Sequence, residues 1–122
     1  MEKIVIYNVE HAENIIKCAS NMKVKSIVID DDMLSATLKD ILVNVKDYKA
    51  GDTLYARSLN KPGIVIFCDV TDKHMDKLLF EMRTGSSKVD YKAVKTSTNS
   101  QWTIARILAQ MERESMEYHK RR

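Results

Sequence analysis

A chain of 122 residues with 44% hydrophobic and 30% charged side chains has the size and composition of one domain with one core. It is too apolar for a disordered segment, and it lacks the uncharged run that a membrane helix needs. The formal charge of +3 is mild, and with no helix-turn-helix signal and no aromatic-rich basic face, nucleic acid is not an expected partner.

The charge surplus lies in residues 88–122, where eight Lys/Arg face four Asp/Glu, ending in the basic tail 119–122, His119-Lys120-Arg121-Arg122. Such a terminus reads as solvated. Cys18 and Cys68 lack any CxxC spacing and sit among apolar neighbours, as buried reduced thiols do. Lys3-Ile4-Val5-Ile6-Tyr7 is too short an apolar run for a signal peptide, so a soluble, cytoplasmic protein is expected.

The run Lys3 to Val9, with its Ile-Val-Ile centre, suits a strand buried on both faces. From His11 to Met22, Ala12, Ile15, Ile16, Ala19 and Met22 recur at three- and four-residue spacing, which makes a helix with one apolar face. Val24 to Ile29 is a second strand, stopped by Asp30-Asp31-Asp32. Asp32 is the expected N-cap of a helix striped by Leu34, Leu38, Ile41, Leu42 and Val45, and the acids suit its positive dipole end. Residues 47–62 break the rhythm, with a turn at Asn60 to Gly63 and with Leu54, Tyr55 and Leu59 offered to a short helix or a flap.

Ile64 to Cys68 is a third buried strand. Thr71 then caps a helix carrying Met75, Leu78, Leu79 and Met82, and Gly85 ends it. Lys88 to Lys95 is a fourth strand, polar enough to lie at a sheet edge. The last helix is expected from about Ser100 to Tyr118, with Ile104, Ile107, Leu108 and Met111 inward.

Strand and helix alternate four times, a (βα)4 pattern. It predicts an α/β fold: a three-layer α/β/α domain on a mainly parallel four-stranded sheet with right-handed crossovers. A ferredoxin-like α+β sheet is the alternative if the middle segment or an edge strand reverses. Residues 1–46 and 63–118 each make a β-α-β-α half in outline, but no internal repeat is convincing.

In such a sheet, ligands bind beyond the carboxyl ends of the strands: here Asn8, Asp30 to Asp32, Asp69 to Thr71, and Thr96 to Ser100. The last group precedes a helix start, where backbone N–H groups and the dipole favour a phosphate or carboxylate. Lys92, Lys95, Thr96, Thr98, Asn99 and Ser100 are therefore candidates for binding a small anion. The competing reading is structural: Thr98 to Gln101 fits a capping box, with Trp102 as a packing anchor or as the centre of a partner surface. His11, His74 and His119 lack ligand spacing, three glycines are too few for a P-loop or dinucleotide fingerprint, and no Ser or Cys sits in a nucleophile elbow. Neither a metal nor a cofactor is expected.

Residues 63–118 also carry a resemblance. The strand Ile64 to Phe67, the helix start Thr71-Asp72-Lys73-His74-Met75, then Lys92-Ala93-Val94 with Thr96, Asn99 and Trp102, and the acidic pair Glu112 and Glu114, resemble a bacterial family known as the domain of unknown function 3783. The resemblance implies a small bacterial cytoplasmic domain and carries no activity with it. The expected function is a non-catalytic binding or regulatory module, homodimeric through an edge strand or the last helix, or engaged with another protein. The alternative is a small phosphate- or nucleotide-binding protein or enzyme using the turn before the last helix.

Overall fold

The computed structural model describes residues 1–46 and 60–120, with side chains as far as Met116. The expectations for residues 47–59, for the side chains beyond Met116 and for most of the basic tail lie outside the described residues. Four strands and four helices follow in order: β1 (Lys3–Tyr7), α1 (Glu13–Asn21), β2 (Lys25–Ile29), α2 (Leu38–Asn44), β3 (Ile64–Cys68), α3 (Asp72–Thr84), β4 (Tyr91–Val94) and α4 (Ile104–Lys120). Single 3-10 turns, Asp31–Met33 and Asn99–Gln101, precede α2 and α4.

The strand order is β2-β1-β3-β4. β1 pairs parallel with β2 and β3 parallel with β4, but β1 and β3 run antiparallel, Val5 opposite Ile66. The sheet is therefore mixed rather than mainly parallel. Each β-α-β crossover keeps its own two strands parallel, whereas a doubly buried apolar run such as Ile64 to Phe67 carries no mark of direction across the join between halves. β4 does lie at an edge, as its polarity predicts, while the apolar β2 forms the other edge instead of a central strand.

Alternation along the strands sends the apolar side chains to two clusters. Val5, Tyr7, Ile27, Ile29, Ile64, Ile66 and Cys68 pack with Leu38 and Ile41 of α2 and Ile104, Ile107 and Leu108 of α4. Ile4, Ile6, Val65 and Phe67 pack with Ile15, Ile16 and Ala19 of α1 and Leu78 and Met82 of α3. Gly63 allows the two central strands to approach, because a Cβ there would collide with the backbone carbonyl of Asn8.

Caps set the helix bounds. Thr71 accepts from the His74 amide at 3.3 Å, as expected for α3, and Gly85 closes that helix. Asp32 does not cap α2: Asp30 accepts from the Asp32 amide within the 3-10 turn, and Thr37 caps the shorter helix by accepting from Asp40 at 3.2 Å. The last helix likewise begins at Ile104, not near Ser100, with Thr103 accepting from the Arg106 amide at 3.1 Å.

The two halves repeat one backbone plan about the central antiparallel pair, a repeat the sequence hides. Asn8 and Asp69, just beyond β1 and β3, both take a left-handed φ, of 56° and 59°. Val5 pairs with Ile27 as Ile66 pairs with Ala93, and the same residue spacing separates Ile27 from Ala93 and Thr37 from Thr103. At the join the Leu38 amide donates to the Trp102 carbonyl at 3.0 Å, and the Ile104 amide to the Ala36 carbonyl at 3.1 Å.

Candidate functional site

β4, the 3-10 turn and α4 together form the most developed polar surface at the expected site. The turn is closed by its own side chains. Thr96 N donates to Asn99 Oδ1 at 2.7 Å, Asn99 N donates to Thr96 Oγ1 at 3.0 Å, and Asn99 Nδ2 donates to the Val94 carbonyl at 3.0 Å. Ser100 N donates to the Thr96 carbonyl and Ser100 Oγ to the Ser97 carbonyl, both at 3.1 Å. This reciprocal pair does the work of a capping box, but between Thr96 and Asn99. The expected Thr98 to Gln101 box does not form, and Thr98 makes no side-chain cap bond.

The first-turn amides of α4 are also spent: Ile104 on Ala36, Ala105 on the Leu34 carbonyl at 3.0 Å, and Arg106 on Thr103. A helix N-terminus attracts an anion through amides that lack partners. These three have partners.

Beside the turn lies a pocket of about 350 Å³, lined by Lys92, Ala93 and Val94 of β4, by Thr96, Thr98, Asn99 and Trp102, and by Ile107, Gln110, Met111 and Glu114 of α4. Five of the candidate residues, Lys92, Thr96, Thr98, Asn99 and Trp102, thus converge on one cavity. Lys95 and Ser100 do not line it. Lys95 Nζ pairs with Asp69 Oδ2 at 3.0 Å, and Ser100 is engaged within the turn. Sequence reasoning placed Ile107 and Met111 in the inward stripe of α4 and missed Gln110 and Glu114 of the same wall. Their signal is the i, i+3, i+4, i+7 spacing of 107, 110, 111 and 114, which widens the core stripe into a polar margin.

The wall is partly preorganised. Gln110 Nε2 donates to Glu114 Oε1 at 3.3 Å, and the Arg106 guanidinium lies 4.2 Å from the centroid of the half-buried Trp102 ring. That stacking fixes the indole and holds a cation at its face. Tyr91, next along β4, has its phenol pushed above the usual range, first by burial and then by the carboxylates of Glu112 and Asp90.

The backbone of β4 completes the geometry. Tyr91 and Lys95 donate their amides toward β3, at 3.0 Å to Gly63 just before it and at 2.8 Å to Phe67 within it. By strand alternation, the N–H and C=O groups of Lys92 and Val94 point away from the sheet. Among the described residues no strand pairs with that edge, and Val94 is 50% exposed.

Cys68 is buried and its thiol is pushed up to about 12, mainly by burial; Cys18 is half-buried and also raised by burial. No group of three metal-ligating side chains occurs among the described residues, and none of the described helices is long and apolar enough to cross a membrane.

Residues 63–118, from the start of β3 through most of α4, match the family model described as Domain of unknown function (DUF3783), over the segment that carries the resemblance. No curated protein and no solved structure matches the chain.

Proposed function

We propose that this protein is a non-catalytic interaction module that receives an extended polypeptide segment along the outer edge of β4, with one side chain of that segment entering the neighbouring pocket. One observation carries the reading: the pocket opens beside a strand edge that no described strand pairs, while the amides of Thr96, Asn99, Ser100 and the first turn of α4 are already bonded. Strand addition supplies affinity through main-chain hydrogen bonds and specificity through pockets for alternate side chains. Trp102, Ile107 and Met111 give the pocket an apolar floor, and Lys92, Gln110 and Glu114 give it a polar rim. The resemblance of residues 63–118 supports a bacterial, cytoplasmic setting. The two apolar clusters support α/β/α layering of one domain built from the halves 1–46 and 63–118.

A second reading, a phosphate- or nucleotide-sized ligand in the same pocket, draws on Lys92 and on a volume suited to small ligands. It loses the amide donors of Thr96, Asn99, Ser100 and the α4 start, and Lys95 with them.

Selection of a displayed peptide library on the wild-type protein tests the main reading. Enriched peptides should slow hydrogen exchange at Lys92 and Val94, and they should lose binding to Val94→Pro, which removes an outward N–H from an edge strand and no bond to β3. Enriched peptides whose binding ignores Val94 would overturn it. Thermal-shift measurements with phosphate and nucleotides test the second reading, since a ligand at a hundred times its dissociation constant adds roughly 2.7 kcal/mol.

A further inference from the structure

We infer that the segment taken by the β4 edge is β4 of a second copy of this chain, the two strands pairing antiparallel about Ala93. The inference rests on the docking reading above and fixes its occupant.

The register follows from which backbone groups of β4 point away from β3. In an antiparallel pair, residues whose N–H and C=O both face the partner exchange two hydrogen bonds, and the residues between them form the closer, non-bonded pair. On β4 the outward residues are Lys92 and Val94. With the axis at Ala93, each Lys92 meets Val94 of the other copy, which makes four backbone bonds from two such pairs. The Val94 carbonyl already accepts from Asn99 Nδ2, but a carbonyl has a second lone pair.

The neighbouring registers fail. An axis at Lys92 sets two ammonium-bearing chains directly opposite, which is destabilising. An axis at Val94 sets Lys92 against Thr96, whose amide is already held by Asn99 Oδ1 at 2.7 Å. Pairing about Ala93 opposes no like charges, and it lays the apolar stem of Lys92 over the half-exposed Val94.

Two further features favour a second copy over an unrelated peptide. The chain already joins two equivalent units by antiparallel pairing, β1 against β3, so the same contact repeated at β4 extends the sheet without a new geometry. Directly opposed residues share a face, so α4, which covers Tyr91 and Ala93, and its counterpart lie on the same side of the extended sheet. The pocket becomes the seam between them. Such an isologous seam must be self-complementary, and this one carries both signs, with Lys92 and Glu114 both lining the pocket.

Sedimentation equilibrium of the full chain tests this. The wild type should show a concentration-dependent dimer, and Val94→Pro should raise its dissociation constant by roughly thirtyfold or more, because the symmetric contact loses two hydrogen bonds. Should the proline disturb the fold by circular dichroism, Val94→Lys decides: it leaves the backbone intact, opposes Lys92 with a like charge, and should weaken the dimer most at low salt. In a Cys18→Ser background, Ala93→Cys should form an intermolecular disulfide under mild oxidation, because the closest pair lies at the axis. A monomer at all concentrations overturns the second copy and leaves the docking reading to the peptide selection. A dimer that survives both Val94 variants and gives no disulfide also overturns it, by placing the contact elsewhere.

Discussion

Replacing Asn99 with alanine tests whether the turn before α4 is closed by side chains or stands ready for a ligand. The Asn99 side chain makes two bonds, accepting from Thr96 N at 2.7 Å and donating to the Val94 carbonyl at 3.0 Å, whereas the bond from its own amide to Thr96 Oγ1 survives truncation. Each lost bond contributes about 1 kcal/mol, and water reaches this largely exposed turn and replaces part of it, so Asn99→Ala should cost about 1–2 kcal/mol. Urea unfolding should report that loss as a lower midpoint with an unchanged m-value. Asn99→Asp keeps the acceptor and loses the donor, so it should lie between alanine and wild type. The substitution also releases the Thr96 amide, and any phosphate binding absent from the wild type should emerge in the variant. An Asn99→Ala protein as stable as wild type, within about 0.3 kcal/mol, would refute the argument that these bonds close the turn.

Phe67→Ala removes a fully buried ring of β3 from the cluster it forms with α1 and α3 and should cost about 3–5 kcal/mol in the same assay. Gly63→Ala should destabilise by about 1–3 kcal/mol although it adds only a methyl group, because that group meets the Asn8 carbonyl. The Glu2 carboxyl is held below its ordinary value of 4.5, first by the Thr71 amide and then by His74. A lowered carboxylate contributes stability that is present above 4.5 and lost as the pH falls through the folded value. Glu2→Gln should therefore flatten the acid limb of stability against pH, as read by thermal unfolding at a series of pH values. Arg106→Ala should lower stability by about 0.5–1 kcal/mol and shift Trp102 emission, because the guanidinium leaves the indole face.

Periodicity made the elements legible, and it could not make the topology so. Ile4-Val5-Ile6 and Ile64-Val65-Ile66 announce doubly buried strands, and both are central. Their mutual direction depends on how the halves join, and a run buried on both faces looks the same in either direction. Helix starts went astray for a related reason. Asp30 to Asp32 and Thr98 to Gln101 have capping chemistry, but each run is spent on a 3-10 turn, and the true caps, Thr37 and Thr103, follow several residues later. The cavity was half legible. The polar residues of β4 and the turn stand in one stretch of sequence, whereas Gln110, Met111 and Glu114 reach it only because α4 folds back beside β4.

The repeated backbone plan separates what the fold requires from what it does not. Thr37 and Thr103 cap equivalent helices, and Ile41 and Leu42 stand where Ile107 and Leu108 stand, so these identities answer to the shared demands of folding, even though Ile107 also lines the pocket. Other equivalent positions differ. Ala36 holds the place of Trp102, and each gives its carbonyl to the other half with the same geometry, so the join has no need of an indole. Ser26, buried on β2, holds the place of the exposed Lys92, so the edge has no need of an ammonium group. Val28 and Val94 are alike, yet Val28 packs against a core cluster while Val94 is half exposed. Where the same backbone is built twice and only one copy bears Trp102 and Lys92 beside a half-exposed valine, the shared backbone plan does not account for those side chains. They suit the proposed reading of the β4 edge as the surface that takes a partner strand.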